Sequence, residues 1–98
     1  MSKPLTIRYL KTAEKDLDDI FSYIMRDNPS AAVSQLDKFD KSISQLSSNP
    51  FLGVVPKDQR LKELGYRILI VDRYLVFYVV KPKTVQIRHR TRQYNFLL

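Results

Sequence analysis

Tyr66-Arg67-Ile68-Leu69-Ile70-Val71, Asp72-Arg73, Tyr74-Leu75-Val76-Phe77-Tyr78-Val79-Val80, Lys81-Pro82-Lys83, Thr84-Val85-Gln86-Ile87-Arg88 is the stretch that decides the fold. Its three long pieces are rich in β-branched and aromatic residues, which suit a pleated surface. The pieces between them hold only two or three residues, enough for hairpins and too few for crossovers. Residues 66–88 or a little beyond are therefore expected to form three neighbouring antiparallel strands. Such a sheet has to be covered on at least one face, and the cover must come from the first half of the chain.

That half supplies it. Leu5-Thr6-Ile7-Arg8-Tyr9 alternates apolar and polar at period two, the pattern of a half-buried strand. Ala13, Leu17, Ile20, Phe21 and Ile24 then fall on one helical face, with Thr12 placed to cap the segment and acidic residues crowding its first turns. Asn28-Pro29 stops this helix and starts another, because asparagine caps well and proline suits the first helical position. Ala32, Val33, Leu36, Phe39, Ile43 and Leu46 carry the second helix to Asn49-Pro50. Residues 50–57, with two prolines and a glycine, read as a loop. The expected fold is a single α+β domain over residues 1–98: an N-terminal strand, a helical hairpin and a three-stranded meander, with the helices packed on one face of one sheet.

Composition narrows the chemistry. The chain has 98 residues, no cysteine and one histidine, which excludes disulfides, thiolate catalysis and cysteine- or histidine-rich metal sites. Glu14, Asp18 and Asp19 face solvent on the helical periodicity, so the carboxylates near the first helix do not converge as a hard-cation site requires. No cofactor and no metal are expected. No apolar run approaches the roughly 18 residues that cross a bilayer, and a cytoplasmic location without membrane contact is the expectation.

Charge is one-sided. Residues 1–50 balance seven basic against seven acidic side chains, so residues 51–98 hold the whole net charge of +7. An excess gathered in one half makes a directed potential that attracts polyanions, whereas an even spread would serve solubility alone. Arg88, His89, Arg90, Arg92 and Tyr94 cluster after the last strand. Strict alternation there would put Val85, Ile87 and His89 on one side and Gln86, Arg88 and Arg90 on the other, although a bend near His89 could re-aim its ring. Arg67 shares a strand face with Leu69 and Val71, so it must pair, with Asp72 or Glu63 for example, or look into a groove that admits a phosphate. Histidine exchanges protons near neutral pH and arginine offers a fork for phosphate oxygens; attack by a 2′-hydroxyl on RNA needs both functions.

The sequence resembles the RelE/ParE toxin superfamily in Asp16-Leu17-Asp18-Asp19-Ile20, Asn49-Pro50-Phe51-Leu52-Gly53, Gly65-Tyr66-Arg67, Tyr74-Leu75-Val76-Phe77-Tyr78 and His89-Arg90-Thr91-Arg92-Gln93-Tyr94, in order along nearly the whole chain. The resemblance implies the toxin of a bacterial type II toxin–antitoxin pair, neutralised by a cognate acidic antitoxin. RelE-like members cut messenger RNA on the ribosome; ParE-like members poison DNA gyrase. On the first pattern Arg67, His89 and Tyr94 match catalytic positions, while Lys57, Lys62, Arg88, Arg90 and Arg92 would hold RNA backbone. The histidine favours this metal-independent endoribonuclease; the Gly53 loop and the closing histidine-basic-tyrosine pattern occur in ParE-like members too, which keeps a non-catalytic gyrase inhibitor as the alternative.

Overall fold

The computed structural model describes residues 3–92. Its elements are β1 (Thr6–Tyr9), α1 (Lys11–Asp27), α2 (Pro29–Ser44), a 3-10 turn (Gln45–Ser47), α3 (Gln59–Glu63), β2 (Tyr66–Val71), β3 (Tyr74–Val80) and β4 (Thr84–Arg92). The sheet order is β1-β4-β3-β2. β2, β3 and β4 form the expected antiparallel meander, and β1 adds to the far edge, parallel to β4 with Thr6 opposite Thr84 and Tyr9 opposite Ile87.

The helical hairpin turns where expected. The Asn28 side chain accepts a hydrogen bond from Ala31 N at 3.1 Å, and Pro29 opens α2. Phe39, Ile43 and Leu46 pack with Ala13 against Val76, Tyr78, Val85 and Ile87, closing the main core on one face of the sheet. Ile68, Leu75 and Phe77 point to the other face and are covered by Leu61 and Tyr66, which makes a second, smaller core.

Two local expectations change. α1 begins at Lys11, with Leu10 in the cap position and no side-chain cap, so Thr12 lies inside the first turn. The short helix α3 stands in the connection after the loop, started by the Asp58 side chain, which accepts from Leu61 N at 3.0 Å.

The third change matters most for function. β4 pairs Phe77 with His89 but Tyr78 with Ile87, so Arg88 is an extra residue without a partner. A bulge of this kind reverses which side chains face which way beyond it. Val85 and Ile87 face the helices, and so does Arg90, which lies opposite the helix-facing Val76; His89 takes the side of Phe77 instead.

Candidate functional site

Arg90 is the clearest correction. Expected on an open RNA-binding face, it is 5% exposed. The bulge at Arg88 turns it inward, where its guanidinium lies 5.1 Å from the Tyr9 ring centroid and 5.3 Å from that of Phe39 and donates from Nη1 to the Ala13 carbonyl at 3.1 Å. Burial pulls its pKa down, with Tyr9, Asp16 and Glu14 pulling in the opposite direction. Its Nε has no partner among the described residues. A guanidinium stacked in this way ties β4 to α1 and α2 and is not presented to an RNA backbone.

Arg67 lies on the helix-facing side, as the alternation predicts, but neither Asp72 nor Glu63 is its partner. Asp72 meets Lys38 at 3.0 Å. Arg67 instead donates from Nη1 to the carbonyls of Gly53 at 2.8 Å and Phe51 at 3.3 Å and lies over the Phe51 ring at 4.9 Å. Beside it Tyr78, with no exposed surface, accepts from Gly53 N and donates to the Pro50 carbonyl, both at 2.8 Å. Burial raises the Tyr78 pKa, while the Gly53 hydrogen bond and the Arg67 charge draw it partly back. Arg67 and Tyr78 together pin the loop 50–53 to the sheet.

Arg88 and His89 sit at the other end of the site. Arg88 donates to Gln86 Oε1 at 3.0 Å and lies over Tyr66 at 5.5 Å. The His89 side chain is 53% exposed, and its Nδ1 is 3.4 Å from Asp16 Oδ2. The same Asp16 oxygen accepts the backbone N–H of Arg90 at 3.1 Å, closing the strand edge that β1 leaves open beyond Tyr9. Lys57 and Lys62 are exposed on and beside α3. Arg92 ends β4 opposite Tyr74, and Tyr94 lies outside the described residues. The register places Arg67 and His89 on opposite faces of the sheet, so among the described residues the two expected catalytic groups do not converge on one reacting atom. No group of three or more His, Cys, Asp or Glu side chains among the described residues could hold a metal ion.

Sequence reasoning missed Asp16 and Tyr78 as organisers. Tyr78 carries a usable signal, because a tyrosine at the centre of an apolar strand needs a hydroxyl partner. Asp16 carries none: its role follows from β1 ending before β4 does.

The ParE toxin model, of the type II toxin–antitoxin system parDE, matches residues 7–94. The chain belongs to this family of type II toxins. Among solved structures, the ParE-family chain resembles one from the chromosomal ParDE toxin–antitoxin system of P. aeruginosa, at 20% identity and TM-score 0.78, with 95% of this toxin and 100% of that chain covered. It also resembles the RelBE2 toxin–antitoxin complex of Mycobacterium tuberculosis, at 21% identity and TM-score 0.61 with 95% of each chain covered. YafQ of E. coli matches at 20% identity and TM-score 0.58, covering 91% of this toxin and 93% of that chain. At these identities the likenesses establish the fold the toxin shares with all three. No curated protein matches the toxin in sequence. No helix among the described residues is long and apolar enough to cross a membrane.

Proposed function

We propose that this toxin acts by binding DNA gyrase and has no cleavage chemistry of its own, and that a cognate acidic antitoxin neutralises it. The observation that carries the reading is the separation of Arg67 from His89. Cutting RNA by its 2′-hydroxyl requires an acid or base and a cationic group around one phosphorus, within hydrogen-bond reach. Here Arg67 faces the helices and is bonded to the loop carbonyls, while His89 faces away from it at the far side of β3. Of the candidate cations next to His89, Arg90 is buried and Arg88 is engaged with Gln86 and the Tyr66 ring. Membership in the ParE family adds to this.

A second reading, cleavage of messenger RNA on the ribosome, draws on one observation: the exposed His89 ring beside the Asp16 carboxylate. Induced expression separates the two. With DNA and protein synthesis followed by pulse labelling, the gyrase reading predicts that replication stops first and that DNA breaks accumulate. Translation arrest first, with cut messages, would reverse the assignment.

A further inference from the structure

A groove runs between the outer faces of α1 and α2, a cavity of about 700 Å³. Its floor is apolar, built from Leu17, Leu36 and Phe39 together with Val33, which is 60% exposed. Both walls carry carboxylates: Glu14 and Asp18 one turn apart on α1, Asp37 and Asp40 three residues apart on α2. Such spacings put each pair on one helical face. Tyr9 and the buried Arg90 form the end of the groove.

An acidic channel is unexpected on a chain of net charge +7. Surface acids scattered for solubility would have no reason to flank an apolar floor from both sides. An apolar floor between two charged walls matches one shape of ligand, an amphipathic helix laid along the groove with its apolar stripe down. The walls fix its charge: lysine or arginine at the flanks of the stripe is attracted and glutamate repelled. Lys41 Nζ lies 3.5 Å from Asp37 Oδ2 and takes up part of that carboxylate's charge; at physiological salt screening acts over about 8 Å, so Glu14, Asp18 and Asp40 outweigh Arg90 and the distant positive half of the molecule.

We infer that the α1–α2 groove is a docking site for a basic amphipathic helix of a partner protein. A second copy of the chain does not fit the description, since outside the hairpin the described residues offer only α3, five residues long. This inference is independent of whether gyrase or the ribosome is the target.

The test uses the full-chain toxin and three fluorescein-labelled peptides of about 18 residues, long enough to form a helix. One has leucines at helical spacing with lysines elsewhere, one is its glutamate twin, and one is the lysine peptide scrambled so that no apolar stripe forms. Fluorescence anisotropy should show the striped lysine peptide binding at least about tenfold tighter than either control. Net charge alone would favour the glutamate twin. Joint replacement Asp18→Asn, Asp37→Asn and Asp40→Asn should weaken binding about tenfold, and Val33→Arg, at an exposed position that the fold tolerates, should abolish it. Failure of the lysine peptide to bind, equal binding by either control, or indifference to both sets of substitutions in variants with unchanged circular dichroism would overturn the inference.

Discussion

The Tyr78 hydroxyl lies 2.8 Å from the amide nitrogen of Gly53, twenty-five residues earlier in the chain, accepting its N–H, and donates its own O–H to the Pro50 carbonyl at the same distance. A buried phenol in the middle of β3 thus holds the loop that leaves the helical hairpin. The fit is close on both sides. A Cβ at Gly53 would stand 2.7 Å from the Tyr78 oxygen and 2.8 Å from the Ile68 carbonyl oxygen, and the latter belongs to backbone that cannot move aside cheaply.

Tyr78→Phe keeps the ring and orphans the Gly53 N–H and the Pro50 carbonyl, a loss of about 1–3 kcal/mol. Gly53→Ala forces the loop off the sheet and should cost at least as much, about 1–3 kcal/mol or more. Urea denaturation should show a lowered midpoint for both with the slope preserved. An unchanged midpoint for Tyr78→Phe would mean that Arg67 and the two backbone hydrogen bonds between Val54 and Ile68 hold the loop without it.

The same phenol makes stability depend on alkaline pH. Burial raises the folded-state pKa of Tyr78 above its ordinary 10.0. The unfolded chain therefore loses this proton first, and the stability present below pH 10 is lost as pH rises through the folded value. Melting temperatures taken across this range should fall more steeply for the wild type than for Tyr78→Phe, which has no proton there to lose. Parallel curves would assign the alkaline loss to other groups, Tyr9 first among them, since burial raises its pKa as well.

The two arginines flanking His89 should differ in what they contribute to stability. Arg90→Ala empties the space between Tyr9 and Phe39 and should destabilise the fold by about 2–3 kcal/mol, while Arg90→Met, which refills much of it, should recover most of that loss. Arg88→Ala removes a contact over Tyr66 and should cost no more than about 1 kcal/mol. Thermal melts of the three variants decide this, and equal losses at 88 and 90 would contradict the bulged register.

Most of the architecture was legible because it rests on local pattern. Asn28-Pro29 marks the hairpin turn, period-two runs mark the strands, and two- and three-residue connections dictate the meander. The orientation of the residues after Ile87 was not legible, because a bulge depends on which residue of β3 each residue of β4 meets, and alternation alone assumes an unbroken ladder. That one inserted residue moves Arg90 from a predicted RNA contact into the core. Arg67 shows a related limit: its strand face followed from alternation, but its partners are backbone carbonyls of a loop, and carbonyls leave no mark in a sequence. The candidate site was thus partly visible as a set of residues and hidden as an arrangement.

Asp16 offers a test at single-residue scale. Asp16→Ala leaves the Arg90 N–H without an acceptor at the open edge of β4, at a cost of about 1–2 kcal/mol. Hydrogen exchange followed by NMR should show faster exchange at the Arg90 amide, while amides in the middle of β3 change only by the global loss. Unaltered protection at Arg90 would show that Asp16 does not close this edge.

The central claim, that the toxin binds its target and performs no proton transfer through His89, is tested most directly by purified gyrase acting on supercoiled plasmid, with wild type and His89→Gln side by side. Linear plasmid released by detergent and protease measures trapped cleavage complexes. The account predicts that both proteins raise the linear fraction to the same extent, and that messages in a parallel translation reaction stay intact. No gyrase trapping by the wild type, together with message cleavage that His89→Gln slows by about 10²–10⁴-fold, the range expected for a lost general acid or base, would contradict it.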